Sequence, residues 1–275
     1  MRTDTYPIGI FDSGVGGLTV MKDIIRKLPA YDYLYLGDNA RAPYGTRSFE
    51  TIYQYTLECV NFLFSRDCHL VILACNTASA KALSTIQQND LLATNPEKRV
   101  LGVIRPTAEI IGHHTQTGHV GILGTSGTVD SKSYVMEIED QFPELNVYQQ
   151  ACPLWVPLVE NNEYNKPGAD YFVQQAIIQI QQQSPEIDAL LLACTHFPLL
   201  EDKIRQYAGD SVTILSQGEI VATSLADYLQ RHPEIDAHCS KNGSKRFLTT
   251  GSTDHFDTHA KTFFGNKVQS EFVEV

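Results

Sequence analysis

The chain has 275 residues, 43% of them apolar, enough to bury a sizeable core without disulfides or bound metal. Its 32 acids against 21 bases give a net charge of -11 with no Lys/Arg cluster, which argues against nucleic acid as a partner. Apolar runs such as 70–75 and 189–194 fall far short of the ~20 residues of a membrane span, and Met1-Arg2-Thr3-Asp4 leads into a strand-like run with no signal-peptide core, so a cytoplasmic protein is expected.

In chain order, strand-like runs lie at 8–11, 33–36, 70–74, 100–103, 120–123, 147–150, 189–193, 212–215 and 247–250. Helical periodicity falls between them, for example at 18–28, 49–65, 171–183 and 219–229. Strands alternating with helices predict an α/β fold with parallel sheets. In such sheets ligands bind beyond the carboxyl ends of the strands. The candidates are therefore Asp12-Ser13-Gly14, Gly37-Asp38, Cys75-Asn76-Thr77, Gly124-Thr125-Ser126 and Cys194-Thr195-His196.

These segments echo one another. Leu73-Ala74-Cys75-Asn76-Thr77 has a counterpart 119 residues later in Leu192-Ala193-Cys194-Thr195-His196. The segment starting at Ile8-Gly9-Ile10-Phe11 has one 112 residues later at Val120-Gly121-Ile122-Leu123. The spacings suggest two related α/β halves facing each other. The loop Gly14-Val15-Gly16-Gly17-Leu18-Thr19 nearly fits a dinucleotide fingerprint, with Asp38 further on, but Thr19 takes the third glycine position. Asp12 just ahead of the loop would also be a poor neighbour for a pyrophosphate. Glycines for a tight strand-to-helix turn explain the loop better.

Six cysteines occur without a C-x-x-C pair, so neither a zinc ribbon nor a redox motif is indicated. Cys59 and Cys68 read as inert core residues. Cys75 and Cys194 each follow an apolar strand and precede a helix, where backbone N–H groups favour a thiolate. A cysteine hydrolase would use Cys194 with His196 and leave Cys75 unexplained. Removing a proton from one face of a carbon and returning one to the other face needs two opposed bases, so the symmetry favours a racemase or epimerase. His113-His114 has no partner at metal-ligand spacing and reads as surface. Glu160, after the apolar stretch that begins at Cys152-Pro153-Leu154, reads equally as a half-buried carboxylate or as the return to solvent.

Taken together, these motifs resemble the glutamate racemase family of cofactor-independent amino-acid racemases. The matching segments run from Gly9-Ile10-Phe11-Asp12-Ser13-Gly14 through Gly37-Asp38-Asn39-Ala40-Arg41-Ala42-Pro43-Tyr44-Gly45 and Ala74-Cys75-Asn76-Thr77-Ala78. They continue to Cys152-Pro153-Leu154-Trp155-Val156-Pro157-Leu158-Val159-Glu160 and Cys194-Thr195-His196-Phe197-Pro198. The resemblance implies two similar parallel-sheet α/β domains related by pseudo-symmetry, with the active site in the cleft between them. Residues 1–98 with 212–275 would form the first domain and 99–211 the second. It implies Cys75 and Cys194 as catalytic thiols, Asp12 assisting Cys75, His196 and Glu160 assisting Cys194, and Asp38 in support. Substrate contacts would come from Asp12, Ser13, Tyr44, Gly45, Asn76, Thr77, Thr195 and His196, with no cofactor and no metal. The expected ligand is glutamate, the D-isomer supplying peptidoglycan, and a homodimer is the assembly considered.

Three segments depart from the family pattern. Arg105-Pro106-Thr107 stands where an acidic residue and Pro-Gly are common, Ala193 stands where glycine is frequent, and Leu215-Ser216-Gln217-Gly218 replaces an acidic-small stretch. None removes a catalytic position. An aspartate racemase of the same mechanism, or a binding regulator that holds glutamate without exchanging its Cα–H, are the alternatives.

Overall fold

The computed structural model describes residues 6–275, so the Met1-Arg2-Thr3-Asp4 start lies outside the described residues. Its strands are β1 (Ile8–Asp12), β2 (Tyr33–Gly37), β3 (Leu70–Leu73), β4 (Arg99–Gly102), β5 (His119–Gly124), β6 (Asn146–Ala151), β7 (Ala189–Ala193), β8 (Thr213–Leu215), β9 (Lys245–Thr249) and β10 (Ser270–Phe272). They form a six-stranded sheet in the order β10-β9-β2-β1-β3-β4 and a four-stranded sheet in the order β6-β5-β7-β8. All pairings within both sheets are parallel.

The sequence echo has a direct topological meaning. The order β2-β1-β3-β4 in the first sheet repeats as β6-β5-β7-β8 in the second, so β1 corresponds to β5 and β3 to β7. Cys75 and Cys194 thus follow equivalent strands. Strands β1, β3 and β7 are buried along their whole length, as expected of central strands covered on both faces.

The sheets also correct the boundaries expected at 98/99 and 211/212. β4 pairs with β3 in the first sheet (Leu70 opposite Arg99), and β8 pairs with β7 in the second (Ala189 opposite Thr213). The chain therefore crosses between sheets after Gly102 and returns after Leu215. The reason is that β3 and β7 are fully buried and need a neighbour on both edges, which β4 and β8 supply. β10, three residues long and mostly exposed, carries no apolar run and was not signalled by the sequence. The helix Gln217–Arg231 buries Val221, Leu225 and Leu229 in the same core cluster as Leu18, Met21 and Ile24 of the helix Leu18–Lys27. That cluster also takes in Trp155 and Phe197, so the two halves share apolar contacts. Among the described residues no helix is long and apolar enough to cross a membrane.

All six cysteines are free and buried. Burial pushes the Cys68 and Cys239 thiols up from 9.0 to about 12, and raises Cys59 and Cys152 as well. Because each thiol ionises later in the folded chain than in the unfolded one, its contribution is complete below its ordinary value and is lost as pH rises through the folded value. The melting temperature is expected to be flat up to about pH 8.5 and to fall steadily above about pH 9, as thermal unfolding at stepped pH would record.

Candidate active site

Four strand ends converge. Beyond β1, the fully buried Asp12 accepts a hydrogen bond from the Gly14 N–H (3.0 Å) on its Oδ2, while its Oδ1 has no partner among the described residues. The glycine loop then approaches the opposite half. A Cβ placed on Gly16 would lie 2.3 Å from Thr195 Oγ1 and 2.5 Å from the His196 ring, and Thr19 Oγ1 donates to the Thr195 carbonyl at 3.0 Å. Close packing against the second half is thus what Gly16 provides, in place of a dinucleotide cradle.

Beyond β3, Cys75 caps the helix Asn76–Lys81, its Sγ accepting from the Ala78 N–H at 3.5 Å. The thiol also reaches Ser13 Oγ at 3.5 Å. Beyond β7, Cys194 is followed by Thr195, whose Oγ1 lies 3.3 Å from His196 Nδ1. His196 Nε2 in turn lies 3.2 Å from Oε1 of Glu160, the last residue of the helix Trp155–Glu160. The open question about Glu160 is therefore settled in favour of a half-buried carboxylate.

The loop after β2 closes the mouth. Asp38 is buried, accepting from Arg41 Nε at 2.6 Å and Thr250 Oγ1 at 2.8 Å, and from the Tyr44 hydroxyl. Gly45 touches the second half through its carbonyl, which accepts from the Gly127 N–H at 2.8 Å, and a Cβ on it would meet Thr125 at 2.9 Å. Thr77 Oγ1 meets Thr125 Oγ1 at 2.9 Å across the same seam.

These elements enclose a cavity of about 110 Å³. Ser13, Tyr44, Gly45, Cys75, Asn76, Thr77, Glu160, Cys194, Thr195 and His196 all line it. Asp12 and Asp38 stand behind its wall. A larger cavity of about 570 Å³ elsewhere between the halves, lined by Ser79, Gln87, Arg105 and Tyr228 among others, holds neither thiol. Among the described residues no group of three His, Cys, Asp or Glu is placed to hold a metal ion.

Residues 8–225 match the Asp/Glu/hydantoin racemase family. The chain belongs to that family. It is an amino-acid racemase, an isomerase. A glutamate racemase of Geobacter metallireducens is 40% identical over 95% of this chain and 93% of its own length. The crystal structure of a glutamate racemase isoform from Bacillus anthracis superposes with a TM-score of 0.89 at 36% identity, covering 100% of this chain and 99% of that one. That of Francisella tularensis glutamate racemase in complex with D-glutamate gives 0.87 at 29% identity, covering 98% of each chain.

The electrostatics of this racemase's cavity are set mainly by loss of solvent. Burial, with the nearby Asp12 charge, pushes the Cys75 thiol up to about 11, against the Ala78 and Ser13 hydrogen bonds that lower it. Burial raises Cys194 well above its usual value, and Cys75, Asp12 and Glu160 add to the shift. Asp12 is raised too, by burial first, with the His196 charge opposing. Burial acts to raise Glu160 as well, but the hydrogen bond and charge of His196, backed by His259 and His255, hold it below the ordinary range. The result is two thiols that loss of solvent keeps protonated at neutral pH.

Thr125 and Ser126, candidates by their place after β5 but absent from the substrate contacts that the resemblance implies, also line the cavity, in the position equivalent to that of Asp12-Ser13 after β1. His259, on the helix Thr253–Phe264, has its Nε2 3.0 Å from the Glu160 carbonyl, and no motif near it announces this. His113 and His114 are exposed, with the His113 ring edge-on to Phe142.

Proposed function

We propose that the enzyme interconverts L- and D-glutamate by a two-base mechanism in which Cys75 and Cys194 face opposite sides of the substrate Cα. One observation carries the reading: two thiols from equivalent strand ends of two repeated halves line one small cavity. Inversion at carbon needs two opposed bases, and that pairing supplies them. The glutamate assignment draws on the relatives named above and on the D-glutamate bound in the Francisella protein.

The first step converts one thiol to a thiolate, Asp12 taking the proton of Cys75, or the His196–Glu160 pair that of Cys194. The positive charge of the substrate ammonium compensates that of the thiolate. The thiolate then takes the Cα proton, and the C–H electron pair moves onto the α-carboxylate. The opposite thiol gives its proton to the other face of Cα, so thiol and thiolate have exchanged places and no net proton is consumed. Hydrogen-bond donors from Ser13, Asn76, Thr77 and Thr195 hold the carboxylate while its charge grows, and the two halves keep water out. The D-glutamate formed would serve peptidoglycan synthesis.

Circular dichroism of L-glutamate with the purified enzyme in D2O, with no added cofactor, tests the proposal. Optical activity is expected to decay to zero with deuterium appearing at Cα. A flat trace despite measurable glutamate binding would establish a binding regulator instead. Exchange with aspartate but not with glutamate would move the substrate to the shorter acid.

Glu160→Gln keeps the shape but removes the charge that orients His196. Its turnover is expected to fall at least about tenfold, more in the direction where Cys194 is the base. Initial rates at saturating concentrations of each pure enantiomer would show the asymmetry in kcat, and equal losses of kcat in both directions would place Glu160 outside this role.

A further inference from the structure

Beneath the cavity runs a buried polar network that the mechanism does not use. Tyr134, fully buried on the helix Ser133–Gln141, donates its hydroxyl proton to Asn76 Oδ1 at 2.5 Å. Gln217 Nε2, buried at the start of the helix Gln217–Arg231, lies 2.5 Å from the Tyr134 hydroxyl, 3.0 Å from Thr107 Oγ1 and 3.2 Å from the Val103 carbonyl. Asn76 Nδ2 is left with no partner among the described residues, on a side chain that lines the cavity.

The direction of every bond in this chain is forced from its far end. The Val103 carbonyl can only accept, and Thr107 spends its own hydroxyl proton on that same carbonyl at 3.0 Å. Gln217 must therefore turn its nitrogen, and not its oxygen, toward them. One of its two N–H groups is shared between the Val103 carbonyl and Thr107 Oγ1 and the other goes to the Tyr134 hydroxyl, so the tyrosine proton goes to Asn76. The Asn76 oxygen is thereby taken, and its NH2 group is left without a partner at the cavity wall. An amide without this support turns over readily and would present oxygen to a carboxylate.

We infer that Tyr134 and Gln217 are positioning residues that fix the polarity of the Asn76 amide, so that it offers a donor to the α-carboxylate of the amino-acid substrate. The inference rests on the reading of Asn76 as a substrate contact. It also gives a use to two of the segments that depart from the family pattern, since Thr107 and Gln217 meet here.

Steady-state kinetics on both enantiomers of glutamate test it with three variants and a reference. Tyr134→Phe deletes the proton that holds Asn76 and keeps the ring packing. Gln217→Glu substitutes an acceptor for the donor and draws the Tyr134 proton away, whereas Gln217→Met removes both with similar volume. Tyr134→Phe and Gln217→Glu are expected to raise KM about tenfold, the size of one hydrogen bond to a charged group. Gln217→Met is expected to raise it less than Gln217→Glu does. The loss falls on KM because the carboxylate is charged before the proton moves as well as after.

A packing role would make Gln217→Met and Gln217→Glu equal in KM, and that result overturns the inference. So does a KM within about twofold of the parent in Tyr134→Phe, which decides the matter alone if the Gln217 variants do not fold. Asn76→Ala serves as the reference. If it raises KM while the others do not, only the positioning role fails; if it leaves KM unchanged, the role of Asn76 itself fails.

Discussion

Changing either Cys75 or Cys194 to Ser is expected to lower racemisation about a thousandfold in both directions, the scale of a lost general acid or base. Both directions suffer because each needs one sulfur as base and the other as acid. The two variants should nevertheless differ in what they retain. A remaining thiol can still remove the Cα proton from the enantiomer that faces it and return a solvent deuteron to the same face. Cys75→Ser is thus expected to wash deuterium into one enantiomer of glutamate without inverting it, and Cys194→Ser into the other. Proton NMR of the Cα–H signal in D2O, run on each pure enantiomer, reads this directly. Exchange of the same enantiomer by both variants, or full racemisation by either, would remove the two-base scheme.

The second large effect is expected at a residue with no side chain. Gly16→Ala would place a methyl 2.3 Å from Thr195 Oγ1 and 2.5 Å from the His196 ring, with neither neighbour free to move without disturbing Cys194. The two halves must then stay slightly apart, and displacements near 1 Å in such sites cost about a hundredfold in rate. kcat/KM is expected to fall by that order. The folded state should persist, because the clash lies on the seam between the sheets and outside either core. Gly168→Ala is the control, since a Cβ there meets nothing within 4 Å. Near-parental activity in Gly16→Ala would mean that the seam has slack that the structure does not show.

Most of the architecture was written locally. Apolar runs gave the positions of β1 to β9, and the repeated spacing of the segments around Cys75 and Cys194 anticipated the repeated strand order. The crossing points were misplaced by about four residues because β4 and β8 are short edge strands whose own patterns do not say which sheet they join. The site was legible where a residue directly follows a strand, as Ser13, Asn76 and Thr195 do. It was not legible where the contribution depends on tertiary approach. His259 reaches Glu160 from a helix 99 residues further along, and Gln217 reaches Val103 across 114 residues. Asp12 was expected to touch the ligand, yet it lies behind the cavity wall, as does Asp38 in its supporting place, because a carboxylate at a strand end can turn inward when backbone or side-chain donors await it.

The two sheet-to-sheet crossings lie side by side, tied together where Gln217 Nε2 meets the Val103 carbonyl. The four-stranded half is therefore an insert in the chain that is entered and left at one place, so recombination at that place can move it as one cassette if the seam contacts are kept. A chimera built that way has to carry Thr107, Tyr134 and Gln217 together, and its recipient has to keep glycine at position 16. Evolution faces the same constraint: the two halves cannot change independently at the crossings or at the seam.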